Sequence, residues 1–175
     1  MKIFKSKHKL QKEILNIKNM SFVPTMGGLH KGHISLIKKT KTSKRPCLVS
    51  IYVNPLQFNR KKDFNSYPRN FKNDLKMLKK LKVSYVYLPT TKDIFGFKPK
   101  NKIFLRQNSN NLCGKFRKGH FKGVLNIVNR LLEIIRPRNI YLGVKDFQQL
   151  YLIKEHIKKK KIQTNVISCK IIREK

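Results

Sequence analysis

Residues 21–33 read Ser-Phe-Val-Pro-Thr-Met-Gly-Gly-Leu-His-Lys-Gly-His. Ser21–Thr25 is a short apolar run of strand length, and the paired glycines Gly27 and Gly28 end it. A helical pattern starts near Gly32, with Ile34, Ile37 and Thr40 as its inner face and lysines outside. Pro46 breaks that pattern, and Cys47–Val53 (CLVSIYV) is a continuous apolar run of the kind a buried strand carries. The stretch therefore predicts one strand–helix–strand unit.

The same alternation continues to the end of the chain. Pro68 is suited to open a helix that carries Phe71, Leu75 and Leu78 on one face. Val83–Leu88 is the next strand, ended by Pro89, and Thr90–Gln107 reads as irregular. Phe121, Val124, Val128, Leu131 and Ile135 mark a long amphipathic helix stopped by Pro137. Ile140–Leu142 is a short strand, Phe147, Leu150, Ile153 and Ile157 mark another helix, and Ile162–Cys169 is a last strand. Strands alternating with helices predict a Rossmann-like α/β fold, a parallel sheet with helices on both faces, in a single domain over residues 1–175. In such sheets ligands bind beyond the carboxyl ends of the strands.

Composition narrows the function. With 39% hydrophobic residues in 175, the chain can bury a core. No run of eighteen apolar residues exists, so no membrane-spanning helix is expected. Met1–Met20 is basic but lacks the apolar core of a signal peptide. Cys47, Cys113 and Cys169 are odd in number and widely spaced, as expected of reduced thiols in a cytoplasmic protein. Lys and Arg total 42 against 8 Asp and Glu, a formal net charge of +34. That excess favours anionic partners and keeps nucleic acid open as an alternative. The lysines are nevertheless spread along the whole chain beside abundant Ile and Asn, so a drift in composition is the favoured explanation and a nucleic-acid role the lesser one. The eight carboxylates are scattered, which gives no local sign of paired-carboxylate chemistry. Acid–base and charge-stabilising work then falls to His, Lys and Arg.

The residues after the first strand supply such groups. Glycines at 27, 28 and 32 let a ligand approach the backbone closely, and the helix start offers unpaired N–H groups to a phosphate. His30 and His33, three apart, can converge on one ligand and donate to a phosphoryl oxygen as charge builds on it. Zinc binding by the pair lacks further nearby ligands.

The His-x-Gly-His element resembles the signature of the nucleotidyltransferase superfamily, which includes class I aminoacyl-tRNA synthetases. Its surroundings are more specific. Pro24-Thr-Met-Gly followed by Leu29-His-Lys-Gly-His, Val53-Asn-Pro-Leu-Gln-Phe58, Tyr67-Pro-Arg69, Gly119-His-Phe-x-Gly-Val124 and Gly143-Val-Lys-Asp-Phe-Gln-Gln149 stand in the order found in the pantothenate synthetase family. The likeness runs from about Ser21 to Arg173.

That resemblance implies a ligase of pantothenate and coenzyme A biosynthesis with ATP, pantoate and β-alanine as substrates and magnesium as metal. Pantoyl adenylate and pyrophosphate form first; β-alanine then displaces AMP. The resemblance places Met26, Gly27, Gly28, Leu29, His30, Lys31, Gly32 and His33 along ATP, together with Gly143, Val144, Lys145, Asp146 and Ile172. It makes His33, His30 and Lys145 the catalytic set, with His33 in the family's proton-donor position and Lys145 a mobile cation on the phosphates. Physical reasoning puts more weight on both histidines as charge stabilisers, because a carboxylate nucleophile has no proton to lose. Gln57 and Gln149 would hold pantoate with Met26, and Gln57 would also lie near β-alanine. Gln148 is then the solvent-facing helix residue, and Asp146 doubles as a helix cap. Asp74 matches an acidic position associated with magnesium, the alternative being an ordinary helix-surface aspartate. Arg117 and His120 match a segment that would help bind an anionic group.

Three departures stand out. Val144 replaces a family glutamate, Lys118 a proline, and Lys170 another proline. The family's Ser-Ser-Arg-Asn clamp and C-terminal lid are also expected to be missing after Arg173, which leaves three readings: a truncated ligase with impaired activity, a non-catalytic ATP- and pantoate-binding remnant, or a domain completed by a separate C-terminal half. Family analogy points to a homodimer, whereas the +34 charge opposes self-association.

Overall fold

The computed structural model describes residues 1–106, 109 and 112–170; Ile172 and Arg173 lie outside them. The strands are β1 (Lys2–Phe4), β2 (Ser21–Thr25), β3 (Cys47–Ile51), β4 (Tyr85–Tyr87), β5 (Asn139–Gly143) and β6 (Asn165–Cys169). The helices are α1 (Lys7–Ile14), α2 (Lys31–Thr40), α3 (Lys61–Asn65), α4 (Phe71–Lys80), α5 (Thr91–Phe95), α6 (Cys113–Phe116), α7 (His120–Ile135) and α8 (Phe147–Lys159).

All five strand pairings are parallel, in the order β1-β4-β3-β2-β5-β6. Side chains alternate between the two faces with the strand period of two. Phe22, Leu48, Tyr87, Ile140 and Leu142 belong to a cluster with Leu10 and Ile14 of α1 and the apolar stripes of α7 and α8. Val23, Val49, Ile51, Val86 and Tyr141 belong to a second cluster with Ile37 of α2 and Leu78 of α4. The helices thus cover both faces, as the alternating sequence predicts. From β2 the chain runs outward through β3 to β4, then returns to place β5 on the other side of β2. Neighbouring connections diverge at that point and leave a crevice at the carboxyl ends of β2 and β5.

Several expectations need correction. Residues 1–20, read only as a basic stretch, supply edge strand β1 and helix α1. The region read as irregular contains α5, started by a capping box in which Thr90 and Asp93 each bond the other's backbone N–H. Pro68 does not open α4: Asn70 caps it, accepting from the Asn73 N–H at 3.2 Å. Phe71, expected inside, is exposed.

The helix ends show the lysine excess at work. Lys44, Lys82, Arg136 and Lys161 have φ of 52°, 49°, 48° and 50°, the left-handed conformation usually left to glycine. At Lys82 and Lys161 the Schellman pattern is complete, with Val83 N–H bonded to Leu78 O and Ile162 N–H to Ile157 O.

Candidate active site

The turn between β2 and α2 is held from both sides. Thr25 Oγ1 donates to Ser50 O at 2.8 Å and accepts from the Gly27 N–H at 3.2 Å. Gly27 and Gly28 have φ of 82° and 61°, so both adopt the backbone that glycine tolerates best. From α4 the Asp74 carboxylate reaches across: Oδ2 accepts from the Gly28 N–H at 3.0 Å and Oδ1 from the Leu29 N–H at 2.9 Å.

His30 occupies the N-cap of α2, and its side chain together with that of His33 forms a capping box of imidazoles. His30 Nδ1 accepts from the Gly32 N–H at 3.0 Å, and His33 Nδ1 from the His30 N–H at 3.4 Å. An Nδ1 that accepts carries no proton, so each neutral ring carries its hydrogen on Nε2. The rings lie 4.2 Å apart between centroids. Burial first, then the neighbouring His30, lowers the His33 pKa to about 4; the Asp74 carboxylate opposes the shift and Lys145 adds to it. His33 is therefore a neutral donor at pH 7. This suits stabilisation of a phosphoryl oxygen better than release of a proton.

A cleft of about 270 Å³ opens beside this turn, lined by Pro24–Met26, His33, Gln57, His120, Gly143, Asp146 and Gln149 among others. It lies at the carboxyl ends of β2 and β5, where the strand order reverses. Its second wall is the 3-10 turn Pro55–Gln57, begun by Asn54. Asn54 is fully buried; its Oδ1 accepts from the Leu56 N–H, and its Nδ2 donates to Gly123 O at 3.1 Å and Gln57 Oε1 at 3.4 Å. His120 Nδ1 donates to Gln57 O at 2.7 Å, and Gln57 Nε2 lies 2.6 Å from Met26 Sδ. Burial lowers the His120 pKa, so this ring too stays neutral at pH 7. A Cβ on Gly123 would sit 2.3 Å from Leu56 O, so only glycine lets α7 press against the turn. Gly143 is different. Its φ of −77° suits any residue, and the nearest atom to a Cβ there is Lys145 N at 4.0 Å. That glycine faces open space.

Of the residues singled out in the sequence, Met26, His33, Gln57, Gly143, Asp146 and Gln149 line this cleft; residues 27–30 form the turn beside it, Lys31 and Gly32 open α2, and Val144 and Lys145 follow β5. Lys145 is exposed and close enough to His33 to act on its charge. Other expectations change. Asp74 is 3% exposed rather than a surface residue, and its carboxylate oxygens already hold two amides. Asp146 stands at the N-cap of α8, but its side chain makes no capping bond. Gln148 is half-buried rather than exposed, and donates to Ser109 O at 3.4 Å. Asn54 and Gly123 had no role in the sequence reading; only their positions in the motifs marked them. Among the described residues, no group of three or more His, Cys, Asp and Glu could hold a metal, and no helix is long and apolar enough to cross a membrane. Lysines stand on helices that cover both faces of the sheet.

The sequence model of the family described as pantoate-beta-alanine ligase matches residues 2–175. A pantothenate synthetase of Sulfurihydrogenibium sp. (strain YO3AOP1) is 42% identical over 157 residues, covering 90% of this chain and 56% of its own length. One from Francisella tularensis subsp. novicida (strain U112) is 43% identical over 171 residues, covering 94% and 64%. The crystal structure of pantoate-beta-alanine ligase from Francisella tularensis, complexed with beta-gamma ATP and beta-alanine, matches with a TM-score of 0.94 and 40% identity over 99% of this chain and 68% of that one. Pantothenate synthetase from Thermus thermophilus matches with a TM-score of 0.92 and 28% identity, over 99% and 63%. The chain spans 56% and 64% of the lengths of the two relatives matched by sequence.

Proposed function

The chain belongs to the pantoate–β-alanine ligase family, and on that premise we propose that it joins pantoate to β-alanine with cleavage of ATP. The observation that carries this reading is the pair of imidazoles fixed through Nδ1 at a helix start, with Nε2–H left to donate beside the cleft.

In the first step a pantoate carboxylate oxygen attacks the α-phosphorus of ATP. The new O–P bond replaces the bond to pyrophosphate, which leaves. No proton moves, so the protein's task is to align the reactants and stabilise charge on the phosphoryl oxygens. His30 and His33 supply Nε2–H donors, and the start of α2 adds its dipole. Lys145, exposed and near enough to His33 to act on its charge, supplies a positive charge to the phosphates. Gly143 leaves room for the nucleotide. In the second step the neutral amine of β-alanine attacks the acyl carbon, a C–N bond forms, the C–O bond to AMP breaks, and the amine's surplus proton passes to solvent.

Gln57 and Gln149 both line the cleft, where each amide can donate to a carboxylate oxygen and accept from a hydroxyl. They fit pantoate, which offers both. Gln57 is oriented by Asn54, and its backbone carbonyl is held by His120. Magnesium belongs with the nucleotide's phosphates in this reading, since Asp74 is already engaged; no step runs through a protein-held metal.

Pantoate-dependent exchange of labelled pyrophosphate into ATP tests the first step without needing β-alanine. Exchange in the wild type that requires pantoate, and its loss in His33→Ala, is the expected result. Nucleotide and pantoate binding by calorimetry with no exchange would instead favour a binding remnant.

A further inference from the structure

The geometry points to Asp74 as the positioning residue of the histidine turn and not as a magnesium ligand. This deepens the proposed function and rests on it, because the turn it holds is the one read as the adenylation site.

Asp74 comes from the first turn of α4 and is 3% exposed. Its two oxygens take two successive backbone amides, Gly28 and Leu29, at 3.0 and 2.9 Å. Charge-assisted bonds of this kind are about twice as strong as neutral ones. The approach depends on the bare Cα of Gly27, where a Cβ would lie 3.0 Å from Asp74 Oδ2 and 3.1 Å from Ile51 Cγ2. Leu29 is buried beside Val23 and Ile37, and the next residue is His30, the cap of α2. Fixing the Gly28 and Leu29 amides therefore fixes the entry angle of the helix and the aim of both imidazoles.

A magnesium ion needs oxygens at roughly 2.0–2.1 Å in octahedral array and keeps several waters. A carboxylate buried to this degree leaves little room for those waters. The amide hydrogens already on its oxygens carry partial positive charge and would face the ion. Asn73, the neighbouring side chain on α4, offers no second carboxylate.

The test uses the whole chain with Asp74→Asn, which keeps size and one acceptor oxygen, and Asp74→Ala, which removes both. In Asp74→Ala the Gly28 and Leu29 amides should exchange with solvent roughly tenfold faster or more, since their partner is gone. Pantoate-dependent pyrophosphate exchange should fall in kcat by about a hundredfold, as expected for misplaced donors. The magnesium concentration giving half-maximal rate should stay unchanged in both variants. Manganese added alone to the wild type, without nucleotide, should not selectively broaden the Gly28 and Leu29 resonances. Selective broadening that Asp74→Asn abolishes, or activity in Asp74→Asn restored by raised magnesium, would overturn the proposal. Amide exchange and manganese broadening need no turnover. A wild type that is inactive but has protected amides would sink the functional reading and leave this one standing. If Asp74→Ala does not fold, Asp74→Asn and the wild-type manganese titration still decide.

Discussion

His33 and His156 have the same pKa, about 4, lowered in both by burial first. They carry the same tautomer as well. His156 Nδ1 accepts from the Phe104 N–H at 3.0 Å, and its Nε2–H donates to Asn129 Oδ1 at 3.0 Å. There the likeness stops. Both nitrogens of His156 are engaged, and Asn129 completes the network by donating to Asn101 O at 2.8 Å. His156 pins the segment 97–106 across α7 and α8. His33 uses one nitrogen to shape its turn, and its Nε2 has no hydrogen bond to any described residue. A depressed pKa thus marks burial in both places; what differs is the donor left over at His33.

The largest effect should come from breaking the first half of that pair. His33→Ala should lower pantoate-dependent pyrophosphate exchange by roughly 10²–10³-fold, the range for losing one preorganised donor to a charged transition state, with little change in thermal midpoint. Equal loss of stability and activity would mean that His33 acts as His156 does. His156→Leu should do the reverse. It strands the Phe104 N–H and the Asn129 side chain, a cost of about 3 kcal/mol in denaturant unfolding, while exchange activity per folded molecule persists.

Acid acts on both rings. Both rings must be neutral in the folded state, with pKa values below the ordinary 6.5. Their contribution is full above pH 6.5 and is lost as pH falls toward 4. His156→Leu should flatten the slope of unfolding free energy over that window; an unchanged slope would mean the buried ring contributes nothing to it.

The smallest effects should come from two glycines. Gly123→Ala places a methyl 2.3 Å from Leu56 O, so it should displace the Asn54–Gln57 turn, cost about 2 kcal/mol as overpacking does and raise KM for pantoate. Gly143→Ala meets no atom closer than 4.0 Å; it should leave the melting temperature alone and raise KM for ATP. A fall in melting temperature at Gly143 would remove the argument that its space belongs to a ligand.

The sequence made the central strands and the long helices legible because their apolar periods are long enough to be unambiguous. β2 is read at its observed limits, and α7 stops where Pro137 says it must. The edge was harder. β1 has three residues, too few to show a period, and α5 is marked only by its Thr90–Asp93 capping box. At the site, residues whose side chains line the cleft were legible from the motif, as with His33 and Gln57. Those that work on their neighbours were not. Asp74 looks like a helix-surface carboxylate until the fold turns it inward. Asn54 and Gly123 meet across 69 residues of chain, where the turn packs on α7, a relation no local pattern encodes.

The left-handed helix ends bear on the charge as well. A side chain there costs roughly 1 kcal/mol relative to glycine, and Lys44, Lys82, Arg136 and Lys161 carry that strain at four separate corners. None of the four lines the cleft, and no ligand is needed to explain them. At each of them a basic side chain stands where backbone geometry favours glycine. The fold accommodates basic side chains at these corners, whereas the turn after β2 carries glycine at both of its left-handed positions, Gly27 and Gly28.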